Sequence, residues 1–322
     1  MVGRARRTTT IFFIASMVVN FAASPARASE LRPETIAAFD RYVHATEARM
    51  DDDLRDGNFL YMDRMPGERR DKIYAQVRQR DLFIEQLHTL ADDGRPIHIP
   101  GGMIHHWIGI AFIPQSSFSR TLDVLQDYKK YGEIYKPDIR RSMLMEQDGD
   151  VWKVYLQMYK KSLVTVVLNG NFDATQRRLS STSADIRSYS TRIAEVHDPE
   201  GPSMEELPVG KDHGYLWRLY SYWRIEEKDG GVYLQVESIA LSRTVPPLTA
   251  WLVDPIIRDL SRSVIANLLN ATAKAVTGES GDSAAPTSNL VAIPAWREVA
   301  VPRLLAARRY DASGFAEAAR LH

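Results

Sequence analysis

The feature that most constrains the fold is a pair of strong β segments that leads directly into a long amphipathic helix. Residues 214–225 alternate in character and are rich in aromatic side chains, and residues 232–242 form a second segment after a turn at 226–231. A helix is predicted from about residue 248 to residue 276. A twisted antiparallel sheet whose last strand continues into a helix across its concave face encloses an apolar cavity. The pattern therefore predicts a protein that holds a hydrophobic small molecule.

Shorter β segments fill most of the chain before that pair. A strand is predicted at residues 104–114 and a helix at 116–128, and six β segments then follow in close order, at residues 139–146, 151–160, 163–171, 186–196, 215–225 and 232–241. Their connections are short and carry turn residues such as Asp148-Gly149 and Gly230-Gly231, which favours antiparallel pairing of successive strands. The sheet is therefore expected to be a meander.

The N-terminal region is predicted to form two helices. Apolar residues recur at helical spacing after Pro33, and a second set begins after Pro66-Gly67 and continues through Phe83, Ile84 and Leu87. We expect a helical hairpin over residues 29–94 that packs against the main domain. The alternative is an arm that binds a partner protein.

Both ends of the chain are expected to lie outside the fold. Arginines precede the apolar run at residues 11–19, and Ala26-Arg27-Ala28 matches a cleavage signal, so residues 1–28 are predicted to be a secretory signal peptide. The protein is then periplasmic or secreted. An uncleaved anchor is the alternative, which the shortness of the run disfavours. Residues 278–322 are predicted to be a linker and a tail, disordered or docked on a membrane or a partner.

Charge and composition exclude several classes of site. Removal of residues 1–28 leaves 37 basic and 41 acidic side chains, a net charge near −4, which gives no reason to expect nucleic acid as a partner. The chain has no cysteine, so disulfides, thiol nucleophiles and thiolate metal sites are excluded. No metal-binding spacing and no glycine-rich phosphate loop is present. We therefore expect no metal and no cofactor.

The order of one strand, two short helical pieces, six antiparallel strands and a long C-terminal helix resembles the START-like (SRPBCC) superfamily, which includes lipid-transfer, coenzyme-Q-binding and polyketide-cyclase proteins. The resemblance covers roughly residues 97–276 and rests on the segments VWKVY (151–155), YSTRIAEV (189–196), YLWRLYSYWR (215–224) and ESIALSRTVP (237–246). These look like an exported bacterial branch. The resemblance implies an α+β helix-grip fold, with a curved antiparallel sheet wrapped around the helix, at residues 95–277. It also implies an apolar ligand, without a specific activity.

The candidate ligand-binding residues are apolar side chains that strand alternation and helical periodicity direct into the space between sheet and helix. They are Trp217, Leu219, Trp223, Leu234, Val236, Leu260 and Val264. Two tryptophans on one inward face would form a flat wall for a ring or an acyl chain. The alternative is that these side chains simply fill the core.

Arg192, Arg218 and Glu237 are the candidates for a polar end of the cavity. An arginine there could bind the carboxylate or phosphate head group of a ligand in bidentate fashion. The alternative is a set of cross-strand ion pairs on a solvated sheet face. Alternation favours this alternative, because Arg218 and Glu237 fall on the faces opposite the apolar sets.

The sequence favours binding or transfer of a lipid, quinone or polycyclic compound over catalysis. Adjacent histidines such as His105-His106 point to opposite faces of a strand, and no nucleophile or matched carboxylate pair accompanies them, so no catalytic residue is assigned. Two alternatives stay open: an enzyme of cyclase, aromatase or hydrolase type in the same pocket, and a structural envelope protein. Transient membrane contact, and a protein partner for the hairpin or tail, are further expectations.

Overall fold

The computed structural model describes residues 29–161, 164–245 and 247–279, and it describes the side chains of the C-terminal helix from Ile257 onward. The predicted signal peptide lies outside the described residues, and so does the predicted linker and tail after Glu279.

The described chain combines ten strands with five α-helices and two 3₁₀ turns. In chain order they are β1 (Ser29–Glu30), α1 (Pro33–Arg55), a 3₁₀ turn (Tyr61–Arg64), α2 (Gly67–Arg78), β2 (Phe83–Gln86), β3 (Gly102–Pro114), α3 (Phe118–Gln126), a 3₁₀ turn (Tyr128–Lys130), α4 (Tyr131–Ile134), β4 (Ile139–Asp148), β5 (Val151–Lys161), β6 (Thr165–Arg178), β7 (Ser183–Glu195), β8 (Lys211–Asp212), β9 (Arg218–Lys228), β10 (Gly231–Arg243) and α5 (Pro247–Thr277).

Eight of these strands form one antiparallel sheet in the order β2-β3-β10-β9-β7-β6-β5-β4, and β1 pairs with β8 beside it. Successive strands from β4 to β7 are neighbours, as the short connections predict. The chain then passes through β9 and β10 into α5. This is the order of the helix-grip fold, so the predicted α+β fold class is confirmed. The assignment to an exported bacterial branch stays a prediction.

The hairpin between β9 and β10 has a tight turn of two residues. Its two central residues, Asp229 and Gly230, both have positive φ angles, of 58° and 78°. Two consecutive left-handed residues match the right-handed twist of the flanking strands, and an Asp-Gly pair adopts them readily. The strands therefore pair up to Lys228 and Gly231, beyond the predicted turn boundaries.

The predicted second helix is wrong at its C-terminal end. Helix α2 stops at Arg78, Arg80 has a φ of 67°, and residues Phe83–Gln86 form β2 on the edge of the sheet. Phe83 packs on one face with α2, whereas Ile84 packs on the other face with α5. Because both faces are covered, adjacent apolar residues are buried in a strand, and the sequence pattern resembles that of a helix.

One face of the sheet, called the α1 face, is covered by the N-terminal helices. Phe39, Tyr42 and Val43 of α1 pack on Tyr222 and Ile239 of the central strands. Helix α2 packs beside them against β3 and β10. The exposed side chains of α1 and α2 point away from the sheet, so this layer has the amphipathic pattern that the sequence shows.

The opposite face, called the α5 face, carries α3 and α5. Ile265 and Leu269 of α5 are buried in one core with Trp223 and Val236. At Gly109 of β3 the helix lies directly on the backbone: a Cβ there would stand 2.3 Å from Cγ2 of Ile265 and 2.8 Å from Cδ1 of Leu269. Glycine at this position therefore sets how closely α5 can approach the sheet.

We expect Gly109→Ala to destabilise the protein by about 1–3 kcal/mol, because the added methyl group forces α5 away from β3. Chemical denaturation measures the free energy of unfolding. Gly67→Ala is the matched control, since the nearest atom to a Cβ there is the end of the Arg70 side chain at 4.0 Å. Equal stability of the two variants would contradict close packing of α5 at Gly109.

Candidate functional site

The α5 face holds a hollow over the middle of the sheet. Ser188, Leu219, Ser221, Ser238 and Ala240 are partly exposed, although they lie on β7, β9 and β10, which have a neighbouring strand on each side. A side chain on a central strand under a covering helix is ordinarily buried. Their exposure shows that open space reaches the sheet here, and these five residues define the hollow.

Small side chains make the floor of the hollow. Ser188 pairs with Ser221, and Ser221 pairs with Ser238, so three serines lie side by side across three strands. The same row continues to Trp107 on one side, and through Ala174 to Trp152 on the other. With about 4.8 Å between strands, these two positions are separated by roughly 24 Å along the sheet. Only serine and alanine side chains lie between them, which leaves room above the sheet.

The floor is also polar. Within the part of the chain that the structure describes, the hydroxyl groups of Ser188, Ser221 and Ser238 make no hydrogen bond to protein. Each hydroxyl can donate one hydrogen bond and accept others. A molecule in the hollow would therefore meet a row of hydrogen-bonding groups on the sheet and apolar side chains around them.

Aromatic side chains surround Trp152, at the end of the row of small residues. Tyr128 packs against Trp152, with ring centroids 6.0 Å apart, and Tyr131 makes an edge-to-face contact with Tyr135, with centroids 4.8 Å apart. The Tyr135 hydroxyl lies 3.0 Å from that of Thr272 and so connects this end to α5. Burial raises the pKa of Tyr135 to about 12, although hydrogen bonds from Thr272 and Tyr131 oppose the shift. This phenol is neutral at ordinary pH.

Most of the predicted apolar site residues lie on the α5 face. Trp223, Leu234 and Val236 are buried in one core with α5, and Leu219 borders the hollow. On α5 the predicted stripe is displaced by one position: Ile265 and Leu269 are the buried residues, whereas the side chains of Leu260 and Val264 are half-buried. Leu234 and Val236 have no exposed surface, so they belong to the core beneath the hollow.

Trp217 does not share a face with Trp223, and the prediction of a paired tryptophan wall is wrong. Trp217 precedes β9, packs in the core of the α1 face, and donates a hydrogen bond from Nε1 to Asp212 Oδ1 at 3.0 Å. Strand alternation does not extend to a residue outside the ladder. The tryptophan that shares the α5 core with Trp223 is Trp107 of β3. Alternation within β3, which places Trp107 and Gly109 on one face, is the signal that could have identified it.

The three polar candidates lie on the α1 face and do not form an end of the hollow. Arg192 pairs with Glu206 in the loop before β8, and Arg218 donates from Nη1 to the carbonyl of Trp217 at 2.9 Å. Glu237 is bonded to His106 and Arg49 beneath α1. Their placement corrects the predicted polar cavity end. It matches the alternative of ion pairs on a solvated sheet face only in part, since among the described residues Arg218 has no ion pair and Glu237 is buried. The physical reason is alternation, which turns Arg218 and Glu237 away from the α5 face.

Glu237 is the centre of a buried polar cluster between α1 and the sheet. Its Oε1 accepts from His106 Nε2 at 2.7 Å and pairs with Arg49, while the other ring nitrogen of His106 lies 2.9 Å from the Tyr42 hydroxyl. Burial by itself raises the pKa of Glu237, but the His106 hydrogen bond and the charges of Arg49 and Arg224 outweigh it and hold the pKa below its ordinary value. The carboxylate is therefore ionised and fixes α1 to the sheet.

Among the described residues there is no group of three or more histidine, aspartate or glutamate side chains arranged to hold a metal ion. None of the described helices is both long enough and apolar enough to cross a membrane.

Comparisons with known proteins give distant structural matches. No protein-family model matches the chain, and no curated protein matches it. One similar structure is a STAR-related lipid transfer protein from Xanthomonas axonopodis, 14% identical, covering 60% of this chain and 98% of that one at a TM-score of 0.40. Human STARD10 is 10% identical, and the match covers 67% of this chain and 82% of that one at a TM-score of 0.39. The Zhui aromatase/cyclase from Streptomyces sp. R1128 is 15% identical, and the match covers 55% of this chain and 93% of that one at a TM-score of 0.32.

We expect Glu237→Gln to destabilise the protein by about 3–5 kcal/mol at neutral pH, because it removes the buried carboxylate that faces His106, Arg49 and Arg224. The lowered pKa means that the carboxylate stabilises the fold above the unfolded-state pKa of about 4.3. This stabilisation is lost as the pH falls through the pKa that Glu237 has in the folded state. Chemical denaturation at pH values from 7 down to about 2 should show that the free energy of unfolding falls less with acid in the variant than in the natural chain.

Glu146→Gln is the control for that experiment, since Glu146 forms an exposed pair with Lys153 on the outer strands, 2.6 Å apart. Such a pair contributes at most about 1 kcal/mol. Equal losses of stability in the two variants, or an unchanged acid dependence for Glu237→Gln, would show that the buried carboxylate does not hold α1.

Proposed function

We propose that the protein binds a hydrophobic small molecule in the hollow between α5 and the sheet, and that it carries this ligand outside the cytoplasm. The observation that carries the proposal is the exposure of Leu219, Ser221 and Ser238 on central strands beneath a long helix. A core without a ligand would be expected to fill this space with larger side chains, because protein interiors are packed to the density of organic crystals.

Burial of apolar surface would supply most of the affinity. Each Å² of apolar ligand surface removed from water contributes about 25 cal/mol, before the cost of immobilising the ligand. The hydroxyls of Ser188, Ser221 and Ser238 would bind oxygen atoms along one side of the molecule. A lipid, a quinone or a polycyclic compound with oxygen substituents has this combination of surfaces. The signal-peptide pattern at residues 1–28 supports a location outside the cytoplasm.

The packing of α5 supports a route for the ligand. Among the side chains of α5 that the structure describes, Ile265, Leu269 and Val276 are buried in the core on the sheet. The hollow lies toward the other end of β9 and β10, at Leu219 and Ala240. The ligand could therefore enter without separation of the packed half of α5 from Gly109.

An enzyme of cyclase type is the second candidate, and His105 is the observation that favours it. His105 pairs with Ala240 across β3 and β10, so it lies on the α5 face beside the hollow, and its Nε2 is 2.8 Å from Ser242 Oγ. An imidazole in this place could transfer a proton to or from a bound molecule. Incubation of the protein with its extracted ligand distinguishes the two candidates, since a carrier returns the molecule unchanged and an enzyme returns a product that His105→Gln does not form.

We expect the double variant Ser221→Phe and Ser238→Phe to bind the fluorescent fatty acid cis-parinaric acid at least tenfold more weakly than the natural chain, because two rings occupy the floor of the hollow. The measurement is a fluorescence titration with protein from which co-purified lipid has been extracted. Thr175→Phe is the control, since Thr175 is exposed on β6 and lies next to Ala174 in sequence but on the opposite face. Thermal unfolding checks that all three proteins are folded.

Two outcomes would count against the proposal. The first is that the natural chain takes up no cis-parinaric acid, and that solvent extracts of protein from its own cells contain no lipophilic molecule by mass spectrometry. The second is that the double variant and Thr175→Phe bind the probe with the same affinity.

A further inference from the structure

A cationic cavity lies at the β4 edge of the sheet, away from the hollow. It has a volume of about 480 Å³ and is formed where α4 and the residues around it meet β4. Its charged lining consists of four cations, Lys129, Lys136, Arg140 and Arg141, and one acid, Glu133. The cavity therefore carries a local excess of positive charge, although the expected charge of the mature chain is slightly negative.

These four cations are available to a ligand. Among the described residues none of them forms an ion pair, and Arg140 instead stacks on the ring of Tyr159, 3.5 Å from its centroid. Cations close by are neutralised within the protein: Lys130 pairs with Asp127 at 2.9 Å, and Lys160 pairs with Asp138 at 3.1 Å. Unpaired arginine and lysine side chains around one cavity are the groups that bind a phosphate.

Two exposed methionines stand beside the cavity on the same strand. Met143 lines the cavity and has 55% of its surface exposed, and Met145 has 59% exposed. Strand β4 is the last strand of the sheet on this side. Apolar side chains next to cations combine the two contributions by which a protein surface binds lipid, which are burial of apolar area and attraction to anionic headgroups. A soluble phosphate compound would leave both methionines in water.

We propose that this β4 edge surface, formed by the cationic cavity with Met143 and Met145, docks the protein on a membrane that contains anionic lipid. The phosphate of a lipid headgroup occupies the cavity between Lys129, Lys136 and Arg141. The two methionines enter the boundary between headgroups and acyl chains. The docking surface adds a membrane partner to the proposed function, and it does not require the hollow to be filled.

The surface is connected to the helix that covers the hollow. Asp138, two residues after Lys136, accepts a hydrogen bond from Asn267 Nδ2 of α5 at 3.2 Å. Tyr135, one residue before Lys136, contacts Thr272 of the same helix. Docking would therefore place a membrane beside α5, where a ligand could pass between the bilayer and the hollow.

The test is co-sedimentation of the full chain with vesicles of phosphatidylcholine alone or with 30% phosphatidylglycerol. We expect binding to the anionic vesicles only, and weaker binding as salt is added. The triple variant Lys129→Gln, Lys136→Gln and Arg141→Gln should bind these vesicles about a hundredfold more weakly, since each basic residue near an anionic surface contributes about a factor of five. The double variant Met143→Ser and Met145→Ser should also bind them more weakly.

The control is Arg41→Gln, Lys72→Gln and Arg80→Gln, which removes the same charge from exposed positions on and after α1 and α2. Equal losses in the two triple variants would overturn the proposal, because they would show a response to net charge alone. Saturable binding of inorganic phosphate without vesicle binding would also overturn it. The hollow is tested separately: the β4 variants should bind cis-parinaric acid normally. If the natural chain binds anionic vesicles but not this probe, the docking surface stands and the proposed ligand site fails.

Discussion

The buried carboxylate of Glu237 is the interaction on which the arrangement of layers depends. An ionised group without exposed surface is strongly unfavourable unless charges and hydrogen bonds compensate it. Here the compensation comes from His106 on the neighbouring strand and from Arg49 on α1. The carboxylate is therefore stable only when α1 lies on the sheet. With that face occupied, the α5 face is the one left to enclose a ligand.

The α5 face combines close packing with open space because its residues differ in size along the strands. At Gly109 the absence of a side chain lets α5 lie on the backbone, and larger side chains around it complete a solid core. Farther along β9 and β10, the serine and alanine side chains on this face are partly exposed. Small residues thus have opposite effects at the two places: one admits a helix, and the others leave a hollow.

In the proposed function, the β4 edge and the hollow serve two different environments of one ligand. The hollow offers apolar walls with hydroxyl groups on the sheet, whereas the edge offers unpaired cations and exposed methionines. A hydrophobic molecule passes slowly through water, so a carrier gains from contact with the bilayer that supplies its ligand. The hydrogen bond that Asn267 of α5 donates to Asp138, and the one between Tyr135 and Thr272 of α5, connect the two places in the structure.

The sequence by itself determined the order of the long elements from β3 to α5, the antiparallel meander, the long final helix, and which side chains of β9 and β10 share a face. These depend on local spacing and turn chemistry, which are fixed along the chain. Only the tertiary structure decided that Phe83–Gln86 joins the sheet, that Trp107 and not Trp217 shares the core with Trp223, and that three serines form one row. These contacts depend on the register between strands and on which helices cover each face of the sheet. Both are determined by contacts between segments that are distant in the sequence.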